Sequence, residues 1–66
     1  MQTVNALIKQ IATSPAYNSA HYAAQRLKVL DVHVADNYTA LAAHYGETDV
    51  HELREALWMD VDFCEV

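Results

Sequence analysis

This chain of 66 residues has little of what usually staples a small domain or marks a catalytic motif. Cys64 is the only cysteine, so a disulfide within one molecule is excluded. Gly46 is the only glycine, which excludes the glycine-rich loops that bind phosphate groups. Apolar stretches cover only a few residues each, whereas a membrane-spanning helix needs about 20. No membrane span is therefore expected, and a lone thiol favours the cytoplasm as the location.

Acidic residues are missing from the first 30 residues of the chain. Residues 1–30 contain three bases and no Asp or Glu, a charge of +3. Residues 31–66 contain all nine acids and one base, a charge of −8, which together give the net −5. Such an asymmetric charge distribution selects partners of opposite sign. The acidic half is therefore expected to bind the basic surface of a larger protein.

Length and composition indicate one domain over residues 1–66. The chain is 53% hydrophobic, which is too apolar for a disordered tail. A domain of this size buries only about 60% of the surface that its unfolded chain exposes, so its core is marginal. Since no disulfide can compensate, we expect stabilisation by another chain, with a homodimer as one form of it.

Hydrophobic periodicity predicts helices throughout the chain. In the first segment, apolar residues follow the spacing i, i+3, i+4, i+7: Val4, Leu7, Ile8 and Ile11. Ser14-Pro15 then suits a helix start, with the hydroxyl as a cap and proline at the first helical position. A stripe of mean spacing 3.6 follows: Leu27, Leu30, Val34, Tyr38, Leu41 and Tyr45. One unbroken helix over 15–45 fits it, but two helices over about 15–30 and 36–45 are favoured, because Asp and Asn near 31–36 prefer caps and turns.

The last helix has start and stop signals on both sides. Gly46 suits a left-handed residue that ends the preceding helix, and Asp49 with Glu52 has the spacing of a capping box. Val50, Leu53 and Leu57 are expected on the buried face of this helix, with Trp58 as a further candidate. After Met59 the residues alternate between polar and apolar, which predicts an extended tail. The predicted fold is all-α, a bundle of three to four short helices with a short extended C-terminal tail.

The strongest candidate site is an aromatic and acidic patch near the C-terminus. The remaining acids of the chain sit where helix caps and starts use negative charge, whereas Glu55, Asp60, Asp62 and Glu65 have no such local role. They surround Trp58 and Phe63. Aromatic anchors with steering charges are typical of protein interfaces. The sequence therefore predicts a partner-binding site of six residues: Glu55, Trp58, Asp60, Asp62, Phe63 and Glu65.

The sequence gives weaker support to other functions. A dimeric regulator could bind DNA through the helix that carries Arg26 and Lys28, although direct nucleic-acid binding is not expected of so acidic a chain. Opposite charges could instead pair copies head to tail in a structural subunit. His51 and Glu55 share one helix face, but no third and fourth metal ligand stands at a recognised spacing. No cofactor is expected, and an enzyme is not expected because no nucleophile has a supporting base.

In size, acidity and lack of catalytic motifs, the chain resembles the small accessory proteins that phages and plasmids encode. This resemblance is generic and transfers no residue roles. It implies a non-catalytic inhibitor or modulator of a nucleic-acid-handling protein, acting in the cytoplasm of a host cell.

Overall fold

A computed structural model of the protein describes residues 3–64, which form five helices joined by short turns. The helices are α1 (Val4–Ala12), α2 (Pro15–Asn18), α3 (Ala23–Asp36), α4 (Tyr38–Tyr45) and α5 (Val50–Asp62). No strand occurs between residues 3 and 64. The all-α prediction is confirmed, while the described residues form five helices rather than three to four. None of these helices is both long and apolar enough to cross a bilayer.

Helix α5 lies at the centre of the packing and contacts α1, α3 and α4. Its buried face consists of Leu53, Leu57 and Val61. Fully buried side chains from the three surrounding helices complete the core: Ile11 of α1, Leu30 and Val34 of α3, and Leu41 of α4. Burial of each such side chain contributes about 1.5–3 kcal/mol. A single apolar core therefore fixes the position of α5.

The first helix forms as its periodicity predicts. Its apolar residues Leu7, Ile8 and Ile11 are buried, and the Thr3 hydroxyl accepts a hydrogen bond of 3.1 Å from the Ala6 N–H. This side-chain cap satisfies one of the backbone donors that a helix start leaves unpaired. At the next helix start, proline occupies the first position as predicted, but the Ser14 side chain makes no capping hydrogen bond.

The single helix predicted over residues 15–30 is wrong, because the chain leaves the helical path between α2 and α3. Helix α2 is one turn long, and α3 begins after Tyr22. Between Tyr17 and Leu27 the apolar residues are mostly alanines, so a continuous helix there would bury little area. The turn instead allows Tyr17 and Leu30 to enter the core together, with 4% and 0% of their surface exposed.

The break predicted near residues 31–36 occurs later, at Asn37. Helix α3 continues to Asp36, and the Asn37 side chain donates a hydrogen bond of 3.0 Å to the His33 carbonyl. Such a side-chain bond to the backbone is typical of asparagine at a helix end. The β-branched Val34 does not interrupt α3, since its side chain is fully buried against the core.

The start of α5 is predicted correctly. Gly46 adopts the left-handed conformation with φ 65° and ψ 34°. The Asp49 carboxylate accepts hydrogen bonds from the N–H groups of His51 and Glu52, at 2.8 and 3.2 Å. Val50, expected in the core, is instead 52% exposed and lies in the first turn of α5.

The extended C-terminal tail predicted after Met59 is also wrong within the described residues. Helix α5 continues to Asp62, and the Phe63 N–H still donates to the Met59 carbonyl at 3.0 Å. Val61 continues the buried face of Leu57 at a spacing of four residues. Burial on this helical face outweighs the alternating pattern, which was only seven residues long. The part of the prediction that concerns residues 65–66 lies outside the described residues.

Candidate protein-binding face

The side of α5 opposite its core residues carries two exposed apolar side chains among carboxylates. At about 100° per residue, Glu52, Glu55, Met59 and Phe63 fall on this side, and we call them the outer face of α5. All four residues are exposed. Met59 is 61% exposed and Phe63 is 80% exposed. Residues four apart on a helix are neighbours at about 6 Å between Cβ atoms, so the two side chains form one apolar patch.

The outer face contains Met59 as an exposed apolar residue, whereas the predicted site had Trp58. Trp58 is partly buried and packs against the core. Its indole nitrogen is buried and has no hydrogen-bond partner within residues 3–64. The sequence analysis did not include Met59 in the site. Met59 precedes Phe63 by four residues, and this helical spacing would have identified it if α5 had been predicted to continue to Asp62.

Asp62 lies on one side of the outer face and accepts a hydrogen bond from another helix. The Tyr17 hydroxyl of α2 donates a hydrogen bond of 2.7 Å to Oδ1 of Asp62. Burial of the phenol raises the pKa of Tyr17 to about 12, and the hydrogen bond and charge of Asp62 add to this shift. The Trp58 indole acts on this hydroxyl in the opposite direction and lowers its pKa, although its geometry falls short of a hydrogen bond. The Arg26 guanidinium, 5.3 Å from the centroid of the Tyr17 ring, also lowers this pKa.

Asp60 flanks the outer face on the other side in a similar arrangement. The Tyr45 hydroxyl of α4 donates a hydrogen bond of 2.6 Å to Oδ2 of Asp60. Burial raises the pKa of Tyr45, and the hydrogen bond and charge of Asp60 raise it further. Asp60 and Asp62, which appeared to lack a local role, therefore attach the end of α5 to two other helices. Both residues remain exposed beside the outer face.

The remaining acids of the predicted site have different surroundings. Glu55 lies 3.8 Å from the Arg54 guanidinium, which also reaches Asp31 at 3.5 Å. Because these carboxylates are more than half exposed, the pairs contribute little to stability. These pairs occupy Arg54, which is the only Lys or Arg of α5. Glu65 lies outside the described residues.

The helix proposed for DNA binding does not present its bases together. Arg26 and Lys28 are two positions apart on α3, which separates them by about 160° around the helix. Arg26 is partly buried over the Tyr17 ring, while Lys28 is exposed. A phosphate backbone is bound by several cations on one surface, and these two residues do not form such a surface.

Metal and nucleophile sites find no support in the described part of the chain. No group of three or more His, Cys, Asp or Glu residues among residues 3–64 is arranged to hold a metal ion, so His51 and Glu55 gain no further ligand. Cys64 borders an open depression of about 350 Å³ with Lys9 and Asp60. This depression contains no histidine that could act as a base toward the thiol.

The outer face of α5 thus combines exposed apolar side chains with acidic ones. Comparison with known proteins adds no relative to this description: no protein-family model matches the chain, and no curated protein or solved structure is significantly similar to it.

Proposed function

We propose that this protein is a non-catalytic binding protein that docks onto a basic surface of a larger protein through the outer face of α5. The observation that carries the proposal is the exposure of Met59 and Phe63, at 61% and 80%, on one helical face. Adjacent exposed apolar side chains with polar residues around them are typical of protein interaction sites. The acidic residues around them favour a partner whose binding surface is positively charged.

The two kinds of residue have different roles in this interface. Met59 and Phe63 are the anchors, because desolvation of large side chains supplies most of the binding energy in protein complexes. Glu52 and Glu55, with Asp60 and Asp62 beside them, attract the partner and orient it on approach. Arg54 offsets part of the charge of Glu55 and Asp31, which it contacts, and leaves Glu52, Asp60 and Asp62 without a Lys or Arg partner among the described residues.

Nucleic-acid-handling proteins are the partner class that we propose, with this protein as an inhibitor or modulator. Such proteins carry a basic surface that neutralises phosphate groups. The carboxylates along α5 would contact the same cations, while the apolar anchors supply contacts that nucleic acid does not. Competition between this protein and nucleic acid for one surface then follows from charge alone.

Capture of the partner from the native host, followed by kinetics with the purified partner, tests this proposal. Substitution of Met59 and Phe63 together by serine should accelerate dissociation by about tenfold or more. Substitution of Glu52 and Glu55 together by glutamine should instead slow association and reduce its dependence on salt. Tyr22→Ser is the matched control, because Tyr22 is a large side chain that is 70% exposed and is not part of the outer face of α5.

Circular dichroism must show that the variants are folded before their kinetics are compared. If both double variants are folded and bind the captured protein at the rates of the unaltered chain, the outer face of α5 is not the interface. If Tyr22→Ser weakens binding as much as the serine double variant does, the site lies elsewhere.

A further inference from the structure

The solvent-facing side of α3 is a second surface, separate from the outer face of α5. Lys28, Val32, Ala35 and Asp36 are exposed on this side, and we call them the α3 stripe. Val32 is 60% exposed, whereas the opposite side of α3 buries Leu30 and Val34. The α3 stripe therefore presents an apolar centre that no other part of the described chain covers.

The α3 stripe carries a positive charge on one side of Val32 and a negative charge at the same distance on the other side. Lys28 precedes Val32 by four residues, and Asp36 follows it by four. With a rise of 1.5 Å per residue, the two charges lie about 6 Å on either side of Val32 along the helix. Rotation by 180° about an axis through Val32 exchanges the two ends, so that a positive end meets a negative end.

A groove beside the negative end adds to this complementarity. It has a volume of about 440 Å³ and lies where α3 meets α4. Its lining combines Asp36 with the small side chains Ala35, Ala40 and Ala43. The aliphatic part of a lysine can cover such apolar surface while its ammonium group reaches a carboxylate at the rim.

We propose that the α3 stripe binds a second copy of this chain, forming an antiparallel dimer with a two-fold axis at Val32. In this dimer Lys28 of each copy faces Asp36 of the other, and its aliphatic stem covers the groove. The interface is isologous, so it closes at two copies and does not propagate into fibres. It also provides the additional apolar burial that a single core of this size lacks.

This dimer is independent of the function proposed for α5, since it uses none of the residues of that outer face. A second copy is favoured over a different partner because the arrangement of charge is self-complementary. A strongly basic or strongly acidic partner would match one end of the α3 stripe and be repelled by the other.

Sedimentation equilibrium from micromolar to millimolar concentration tests the proposal. The unaltered chain should pass from monomer to dimer over this range. Lys28→Glu and Asp36→Lys should each weaken the dimer by about tenfold or more, because each places like charges opposite one another at both ends of the interface. The two substitutions combined should restore the dimer, since they exchange the ends without loss of complementarity. Val32→Ser should weaken it without any change of charge.

Lys9→Glu is the matched control, because it makes the same change of net charge at an exposed position of α1. Circular dichroism of each variant establishes that the helices are retained. A chain that stays monomeric at millimolar concentration overturns the proposal. The proposal is also overturned if Lys28→Glu weakens the dimer no more than Lys9→Glu does. It is likewise overturned if the variant with both substitutions, Lys28→Glu and Asp36→Lys, does not restore the dimer.

Discussion

Tyr17 and Asp62 are 45 positions apart in the sequence, yet the phenol of one donates a 2.7 Å hydrogen bond to the carboxylate of the other. This bond joins the short α2 to the last turn of α5. A second phenol, that of Tyr45, bonds Asp60 from α4 at 2.6 Å. The C-terminal turn of the central helix is therefore attached on both sides, and the carboxylates that flank the candidate binding face have fixed positions.

Removal of the Tyr17 hydroxyl should destabilise the protein. Tyr17→Phe keeps the buried ring but loses the hydrogen bond to Asp62, so we expect a loss of about 1.5–3 kcal/mol in the free energy of unfolding, as for a bond to a charged group. Urea denaturation followed by circular dichroism measures this loss. Tyr22→Phe is the matched control, because Tyr22 is 70% exposed. Equal effects of the two substitutions would show that the bond contributes nothing.

Stability should fall at alkaline pH with a contribution from Tyr17. The pKa of Tyr17 is raised from its ordinary value of 10 to about 12 in the folded protein. The protonated phenol therefore stabilises the fold fully below pH 10, and this contribution is lost as the pH rises from 10 to 12. Its size is at most about 2–3 kcal/mol. Denaturation at a series of pH values should show a shallower alkaline loss for Tyr17→Phe than for Tyr22→Phe.

The loss of stability on truncation of a leucine to alanine should depend on how deeply that leucine is buried. Leu53→Ala and Leu30→Ala remove fully buried side chains and should each cost about 2–5 kcal/mol. Leu27 lies on the same predicted stripe but is only partly buried, so Leu27→Ala should cost clearly less. Exposed Asn5→Ala should stay within about 0.5 kcal/mol. A loss for Leu27→Ala as large as that for Leu30→Ala would contradict the observed packing of α3.

Substitution of Gly46 should report on backbone conformation alone. Its φ is 65°, and a Cβ added there would meet no atom within 4 Å. Gly46→Ala should therefore cost about 1–2 kcal/mol through the strained left-handed conformation. Gly46→Asn should cost less, since asparagine adopts this conformation more readily. Thermal denaturation compares the two, and a loss that is no smaller for asparagine would contradict this explanation.

Much of the fold follows from local patterns in the sequence. The spacing of Leu7, Ile8 and Ile11 predicts α1, and Gly46 with Asp49 predicts the turn before α5, because these signals act within a few residues. The break after Asn18 could not be predicted in this way. It depends on how Tyr17 reaches the core, which is set by packing against α5, more than 30 residues away in the chain.

The candidate site was predictable in its charge but not in its detailed contacts. The concentration of acids near the C-terminus is visible in the sequence, and so is the exposed aromatic Phe63. The roles of Asp60 and Asp62 were not visible, since their tyrosine partners come from distant helices. Trp58 was assigned as an anchor because acids surround it in the sequence, but in the structure it packs against the core, and Met59 lies on the outer face instead.

Helix α5 has no basic residue in its last turn, where the helix dipole is negative. Asp60 and Asp62 lie at the same end, and the two tyrosines that bond them donate hydrogen bonds but carry no positive charge. Dissolved cations screen the repulsion between these carboxylates and the helix end. We therefore expect the last turn of α5 to gain stability as ionic strength rises, in contrast to elements held by surface ion pairs, which lose it. A cationic group bound at this helix end relieves the same repulsion, so the folded state itself contributes to the affinity for positive charge.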